Sequence, residues 1–409
     1  MSEILKGLRV VEGSAFIAAP SAGMTLAQMG ADVIRFDPVG GGLDYRRWPV
    51  HENGTSFYWA GLNKGKRSIA IDLGNPQGRE LASALVTAPG EGAGLFLTNF
   101  PARGWLDYGA LKAKRDDLVM VNVQGNPDGS SEVDYTVNCA TGLPYLTGHA
   151  DDDRPVNHVL PAWDLITGQS AVNGLLAAER HRTLTGEGQY LSVALSDVAF
   201  WTMGTLGLIA EKEVGGVDRA ATGNDLFGAF GRDFETAEGR RVMIVAITGR
   251  QWRALVEVIG LEQEVAEIEA RTGLDLAREG DRYRATAELA ALISPWCGAR
   301  MLAEITEAFE GTGVCWGPYR SIAQMLAEDP RCSAENPMFE QVDQPGIGPT
   351  LTPGAPIAFE AAPRTSVRQA PRLGEHTDAV LAEVLGLDSG AIGALHDSGV
   401  VGGPESGEK

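Results

Sequence analysis

The sequence predicts an α/β protein with a parallel sheet and two domains. Residues 8–12 have the apolar character of a short buried strand, a helix opens at Pro20, and residues 32–37 form the next strand. A strand, a helix and a second strand within about thirty residues make a βαβ unit, whose two strands run parallel. The chain of 409 residues is also too long for one ordinary hydrophobic core, so we expect a second domain.

The remaining elements divide the chain into four parts. Further apolar runs continue the sheet, at residues 69–73, 95–100, 118–123 and 190–195. A hairpin and three amphipathic helices then indicate a separate, smaller α/β domain. We predict a large domain at 1–200, a linker at 201–225, a small α/β domain at 226–328 and a Pro-rich arm at 329–409. The arm should be extended, with a last helix at 378–387 and a disordered polar tail.

The composition argues against several classes of protein. The 54 acidic residues outnumber the 34 basic ones, for a net charge of −20, whereas a nucleic-acid surface needs clustered lysine and arginine. No apolar run approaches the ~20 residues that cross a membrane, and the first residues lack an export signal. Four cysteines without pairing or metal-ligand spacing fit a reducing compartment. We expect a cytoplasmic protein with no nucleic-acid or membrane partner.

A basic turn at residues 63–68 is unusual in so acidic a chain. It contains Lys64, Lys66 and Arg67 around a glycine and leads into a strand. Such a cluster is often only a solvated turn. It also suits a phosphate group, because backbone N–H groups and cationic side chains converge there. We favour the phosphate-binding interpretation.

Polar side chains also follow a predicted strand of the sheet. Asn99 and Arg103 come at and after the end of the run at residues 95–100. In parallel sheets, ligands bind outside the carboxyl ends of the strands. Both residues are therefore candidates for ligand contact.

Asp164 stands at the start of a predicted helix, directly after an apolar run at residues 159–163. The helix has the spacing of a buried face, and its small residues, Gly168 and Gly174 among them, predict a close neighbour. An aspartate in this position can be a helix N-cap. It can also be a nucleophile that the helix N-terminus keeps ionised.

Several reaction classes lack their sequence signatures. The chain has no G-x-G-x-x-G fingerprint, no P-loop, no G-x-S-x-G elbow and no H-E-x-x-H motif. Its six histidines show no metal-ligand spacing, so we expect no metal, and the lone His158 is more typical of a structural residue. What remains is carboxylate chemistry, with Asp134 as a second acid thirty residues before Asp164.

Short blocks along nearly the whole chain form a family pattern. They are residues 7–10, 30–34, 63–69 with Asp72, 99–100, Asp164 with its helix, 185–189 and 372–377. In this order they resemble the family III CoA-transferases, the group that contains formyl-CoA and carnitine CoA-transferases and the α-methylacyl-CoA racemases.

This resemblance implies a fold, a set of site residues and partners. The large domain would be Rossmann-like, and two chains would interlock as a homodimer, each threading through the ring of the other. Asp164 would be the nucleophile and Asp134 the second acid. CoA would enter as part of an acyl-CoA substrate, with no permanently bound cofactor. The implied CoA contacts are Ser14, Ala15, Asn63, Lys66, Arg67, Asn99, Phe100 and Arg103.

Two departures from the family pattern bear on the reaction. The racemases carry histidine immediately before the second acid, and Val133 occupies that position here, which argues against a two-base proton relay. The block at residues 99–103 reads Asn-Phe-Pro-Ala-Arg in place of the usual Asn-Phe-Arg-Pro-Gly, so the role of Arg103 stays open.

Further blocks, among them residues 157–164 and 224–236, are most similar to family members that act within one molecule. They imply transfer of CoA between the two carboxyl groups of one five-carbon dicarboxylate, through an aspartyl-CoA thioester at Asp164. Transfer between an acyl-CoA and a separate small (di)carboxylic acid is the alternative. A racemase, or a nucleotide-binding protein without catalysis in which Asp164 only caps its helix, are further alternatives.

Overall fold

The computed structural model describes residues 1–404. Within these residues the twelve strands, β1 to β12, are Arg9–Gly13, Asp32–Asp37, Arg67–Ile71, Leu95–Thr98, Val119–Gln124, Tyr190–Ala194, Phe230–Glu235, Arg241–Ala246, Cys315–Pro318, Phe339–Gln344, Gly348–Pro353 and Val401–Gly402. The seventeen α-helices of the same residues, α1 to α17, are Ala18–Gln28, Phe57–Leu62, Pro76–Thr87, Tyr108–Lys112, Asp134–Ala140, Leu143–Leu146, Ala162–Thr185, Leu195–Thr205, Leu208–Ala210, Gly249–Ile259, Glu262–Thr272, Glu279–Arg284, Thr286–Gly298, Leu302–Phe309, Ile322–Glu328, Thr377–Leu385 and Ser389–Asp397.

One large sheet has the strand order β12-β3-β2-β1-β4-β5-β6. Strands β1 to β6 pair in parallel, so that Val11 of β1 lies between Ile34 of β2 and Phe96 of β4. The short β12 pairs antiparallel with β3. The central strands are buried along nearly their whole length, as expected of a parallel sheet that is covered on both faces. The predicted α/β class and the parallel sheet are confirmed.

An apolar core joins this sheet to helices from both ends of the chain. Leu85 of α3, Val380 of α16 and Leu395 of α17 pack in one cluster with strand residues such as Ile69 and Phe96. The C-terminal helices therefore complete the hydrophobic core that the first hundred residues begin.

The described chain divides into two compact units. The first unit comprises Met1–Thr141, His158–Gly216 and the chain from Pro330 onward, and the second comprises Gly142–Asn157 and Val217–Asp329. Residues 142–157, which we predicted within the large domain, thus fall in the second unit. Their backbone contributes to this grouping, because Gly223 donates a hydrogen bond to the carbonyl of Gly148 at 2.9 Å.

The second unit has its own core. Strands β7, β8 and β9 form an antiparallel sheet, and the β7–β8 pair is the predicted hairpin. Phe230, Ile244, Trp252, Leu289 and Phe309 are buried together between this sheet and the helices that follow it. The apolar faces of the amphipathic helices therefore form part of the core of the second unit.

The C-terminal segment is more structured than we predicted. Strands β10 and β11 form an antiparallel hairpin within the expected extended arm. The predicted disordered tail is wrong up to residue 402, because α17 buries Ile392 and Leu395 and β12 then pairs with β3. The last five residues of the predicted tail, 405–409, lie outside the described residues.

No helix within residues 1–404 combines the length and the apolar character needed to cross a membrane.

Candidate active site

Asp164 lies in the first turn of α7, the 24-residue helix Ala162–Thr185. The N-cap position belongs to Pro161, which has no side-chain hydrogen bond to offer, so the interpretation of Asp164 as the N-cap is wrong. A carboxylate in the first turn still benefits from the positive end of the helix dipole. Asp164 therefore remains available for chemistry.

Asp134 and His158 meet Asp164 at this helix end. Asp134 is the first residue of α5 and is buried. Its Oδ2 accepts a hydrogen bond from the backbone N–H of Asp164 at 3.0 Å, and its Oδ1 lies 2.8 Å from His158 Nε2. The structure thus brings together the two predicted acids and a histidine that we had interpreted as structural.

Aromatic rings surround this carboxylate pair. The His158 ring meets the Tyr135 ring edge-on at 5.9 Å between centroids and the Trp163 ring at 6.3 Å. Trp163 is buried, and its Nε1 donates to Asn138 Oδ1 at 3.0 Å. These contacts restrict the side chains that flank Asp164.

Burial dominates the electrostatics of Asp164. It raises the pKa of the carboxyl group to about 7, with a further contribution from the negative charge of Asp134. The positive charge of Arg47 acts in the opposite direction. We had expected the helix N-terminus to keep Asp164 ionised, but desolvation outweighs that effect.

The loop after β1 is held by Asn99, at the carboxyl end of β4. The Ala15 N–H donates to Asn99 Oδ1 at 2.9 Å, and Asn99 Nδ2 donates to the Ala15 carbonyl at 2.7 Å. Ser14 donates to the buried Glu12 at 2.7 Å. The next residue, Phe16, has φ +70°, a left-handed conformation that non-glycine residues adopt at a cost. Asn99 therefore fixes the loop that contains Ser14 and Ala15, and these three predicted contact residues lie together.

The basic turn points into the protein. The ammonium group of Lys66 is buried and donates to Glu12, to Asn63 Oδ1 and to the Pro20 carbonyl, each at 2.9 Å. Burial lowers its pKa to about 8. Arg67 is bound by Asp32 at 2.6 Å and Glu383 at 2.7 Å. These groups are not offered to an external phosphate here, and their contact with CoA stays a prediction.

Phe100 and Arg103 have different surroundings. Phe100 is half-buried, with its ring 6.3 Å from that of Phe36. Arg103 is exposed, and within residues 1–404 its side chain has no hydrogen-bond or ion-pair partner. Of the predicted CoA contacts that carry a positive charge, Arg103 is the one whose charged group faces solvent.

Within residues 1–404, no group of three or more histidine, cysteine, aspartate or glutamate side chains is arranged to hold a metal ion.

Gly168 sets the distance between α7, which carries Asp164, and α1. A Cβ atom added at Gly168 would lie 2.7 Å from the Ala18 carbonyl oxygen and 2.3 Å from Ser21 Oγ. We expect Gly168→Ala to lower the free energy of unfolding by about 1–3 kcal/mol, because the two helices must separate. Chemical denaturation measures this change.

Gly174 on the same helix provides the matched control. A Cβ atom there would meet nothing nearer than Leu191 at 3.6 Å, an ordinary contact. Gly174→Ala should be neutral or stabilise the protein by up to about 1 kcal/mol, through helix propensity alone. Equal effects of the two substitutions would contradict the close approach at Gly168.

Known proteins are similar to this chain in sequence and in fold. Residues 5–377 match the sequence profile of CoA-transferase family III. The 2-methylfumaryl-CoA isomerase of Chloroflexus aurantiacus is 60% identical over 406 residues, which cover 99% of each chain. The succinyl-CoA:mesaconate CoA-transferase of Haloarcula marismortui is 30% identical, over 94% of this chain and 97% of that one.

A solved structure agrees with these sequence matches. A CAIB/BAIF family protein from Brucella suis superposes with a TM-score of 0.76 and 26% identity, over 94% of this chain and 100% of that chain. The match to the family profile covers strands β1 to β11, Asp134, Asp164 and the C-terminal arm as far as residue 377. The resemblance noted from short blocks is thereby confirmed, and the chain belongs to CoA-transferase family III.

Proposed function

We propose that this enzyme moves CoA between the C1 and C4 carboxyl groups of mesaconate, the reaction of a 2-methylfumaryl-CoA isomerase. The observation that carries this proposal is the 60% identity over 99% of both chains to the isomerase of C. aurantiacus. Asp164, in the first turn of α7 and hydrogen-bonded through its backbone N–H to Asp134, supports it, because it supplies a carboxylate for thioester exchange.

In the first half of the reaction, the Asp164 carboxylate attacks the C1 thioester carbonyl. The C–S bond breaks, and the products are a mixed anhydride and CoA thiolate. The thiolate then attacks the aspartyl carbonyl of the anhydride, which forms an aspartyl-CoA thioester and releases the C1 carboxylate of mesaconate.

The second half repeats these steps at the other end of mesaconate. The C4 carboxylate attacks the aspartyl-CoA carbonyl and expels CoA thiolate, giving a second mixed anhydride. Attack of thiolate on C4 forms the product thioester and regenerates the Asp164 carboxylate. No proton, electron or phosphate is gained or lost, so CoA takes part only as a portion of the substrate and no permanently bound cofactor is required.

The pKa of Asp164 suits this nucleophilic role. A carboxylate that titrates at about 7 is more basic than an ordinary aspartate, and it is still substantially ionised at neutral pH. Greater basicity strengthens its attack on the thioester. Asp134 supports the same residue by accepting its backbone N–H, which fixes the position of the helix end.

This pKa predicts a pH dependence. Protonated Asp164 cannot attack, so kcat/KM should fall about tenfold for each pH unit below about 7 and level off above it. Because the charge of Asp134 raises the pKa of Asp164, Asp134→Asn should move the midpoint to lower pH. Steady-state kinetics of the wild type and of Asp134→Asn at pH values below and above about 7 test both expectations. A profile that is flat from about pH 5 to 8 would contradict Asp164 as the titrating nucleophile.

The finer features of fold and assembly belong to the same proposal. We propose that the large sheet is Rossmann-like, which its strand order 3-2-1-4-5-6 supports. We also propose the interlocked homodimer, since a second copy would cover the apolar side chains exposed on and after α8. These include Phe200, Trp201, Leu206 and Val214.

A cytoplasmic location is supported by the four cysteines, which lie within the described residues and are all free.

The test is turnover of mesaconyl-C1-CoA without an added acceptor. We expect conversion to mesaconyl-C4-CoA, with no incorporation of labelled free mesaconate into the product. Incorporation of the label would favour transfer between molecules, the reaction class of the H. marismortui relative. Absence of turnover with any acceptor would overturn the proposed function.

A further inference from the structure

Arg47 is held in a fixed position by two aromatic rings. Its guanidinium group lies 5.2 Å from the centre of the Phe16 ring and 5.3 Å from that of Tyr58. The Ser56 hydroxyl donates to the Arg47 carbonyl at 2.6 Å and so fixes the backbone as well. A planar cation between aromatic faces keeps its orientation, whereas a solvated arginine samples many.

No acid within residues 1–404 neutralises the charge of the Arg47 guanidinium group. Within the described residues 1–404, no Asp or Glu oxygen lies within ion-pair distance of Arg47. The contrast with Arg35 and Arg67 is sharp, because each of these binds two or more carboxylates. The chain has 54 acidic residues, yet none of those within residues 1–404 pairs with this half-buried arginine. Its charge is therefore available for an external anion.

Arg47 also lies near the reacting carboxylate. Its charge acts on Asp164 and on Tyr135, the residue that follows Asp134. The geometry agrees, because Phe16, on which Arg47 lies, stands two residues before α1, and Ala18 at the start of α1 closely approaches Gly168, one turn after Asp164 on α7. Arg47, Phe16 and Asp164 therefore belong to one site.

We propose that Arg47 binds the carboxylate of the substrate that is not joined to CoA, and so selects dicarboxylates. The identity of the dicarboxylate rests on the function proposed above. A guanidinium group binds a carboxylate through two parallel hydrogen bonds, which lysine cannot reproduce.

Such a contact explains how one site can serve both halves of the reaction. Mesaconate carries a carboxylate at each end of a rigid trans double bond. When CoA is on C1, the C4 carboxylate is free to bind Arg47, and when CoA is on C4, the C1 carboxylate takes its place. Between the two states the free dianion turns end for end while Arg47 opposes its escape.

Direct binding tests this role without depending on turnover. Calorimetry would measure the binding of mesaconate and of tiglate to the enzyme in the presence of CoA. Tiglate differs from mesaconate in having a methyl group in place of the C4 carboxylate. The wild type should prefer mesaconate by about 10- to 100-fold, the range expected for one charged hydrogen-bonded pair. Arg47→Met should abolish this preference, and Arg47→Lys should reduce it several-fold.

Arg46→Met is the matched control, because Arg46 also lies over an aromatic ring, that of Tyr45 at 6.0 Å. It should keep the wild-type preference. Retention of the preference in Arg47→Met, or equal binding of both acids by the wild type, would overturn the inference. Should Arg47→Met fail to fold, an unchanged preference in Arg47→Lys would do the same. A wild type that prefers mesaconate but does not isomerise its CoA ester would overturn the proposed function and leave the role of Arg47 supported.

Discussion

Replacing Asp164 with alanine should lower the rate of CoA transfer on the order of 10⁴-fold or more, because the covalent intermediate can no longer form. The measurement is conversion of mesaconyl-C1-CoA by purified variant and wild type at equal concentration. Asp128→Ala is the matched control, since Asp128 is exposed and its carboxylate serves only a local turn with Ser130. Activity of Asp164→Ala within tenfold of the wild type would contradict the nucleophilic role.

The stability of the Asp164 variants separates loss of chemistry from loss of fold. Burial raises the pKa of Asp164 from its ordinary 3.8 to about 7, so the folded state binds this proton more tightly than the unfolded chain does. The resulting stability is present at low pH and is lost as pH rises through about 7. Asp164→Asn cannot ionise, and at pH 8 it should be more stable than the wild type by about 1–3 kcal/mol. We therefore expect Asp164→Asn to be inactive and, at pH 8, more stable than the wild type.

The second large effect concerns Arg35, the centre of a buried cluster of charges. Its guanidinium group pairs with Asp37 at 2.8 Å and Asp44 at 3.0 Å, and reaches Glu12 at 3.5 Å, while Lys66 also pairs with Glu12. Arg35→Met would leave three buried carboxylates with one cation. We expect a loss of about 3–5 kcal/mol in the free energy of unfolding, or failure to fold.

Lys114→Met is the control for that substitution. Lys114 pairs with Glu80 at 2.8 Å, but both side chains are exposed, so the change should stay within about 0.5 kcal/mol. Chemical denaturation of both variants at neutral pH gives the comparison. Equal stabilities would contradict a structural role for the cluster.

The charge cluster also connects stability to the site. Arg35 donates to the Ser14 carbonyl at 3.0 Å and to Asn63 Oδ1 at 3.2 Å, and Glu12 accepts the Ser14 hydroxyl. Ser14 and Asn63, both predicted to contact CoA, are thus fixed from behind by ion pairs. A substitution in this cluster that still allows the protein to fold should therefore weaken substrate binding and also lower the free energy of unfolding.

Much of the sheet could be predicted because local patterns determine it. The strand predicted at residues 32–37 coincides with β2, and the predicted run at 190–195 contains β6. Apolar strands of a parallel sheet are buried on both faces, so each is visible in the sequence alone. Asp164 was equally visible, because an apolar run followed by an acid and a helix is a local pattern.

The contacts between distant segments could not be predicted in this way. His158 meets Asp134 across 24 residues, and nothing near either residue in the sequence marks the other as its partner. The basic turn seemed suited to an external phosphate because Glu12 lies inside a run that we interpreted only as an apolar strand. Once that acid is placed beside Lys66, the Lys66 ammonium group is held inside the protein, while contact of the turn with CoA stays a prediction.

Arg47 was missed for a related reason. In the sequence it is one of two adjacent arginines, and Arg46 has the same local context. The difference arises only when Phe16 and Tyr58 close around one of them. When the role of a side chain depends on residues that are distant in the sequence, it can be recognised only in the structure.

Chemical trapping at Asp164 tests the central claim most directly. Enzyme mixed with mesaconyl-C1-CoA and quenched with hydroxylamine should carry a hydroxamate on the side chain of Asp164, located by mass spectrometry of its peptides. The same treatment without substrate should leave that peptide unchanged. Turnover with no hydroxamate at Asp164, or with a hydroxamate on Asp134 in its place, would contradict the aspartyl-CoA mechanism.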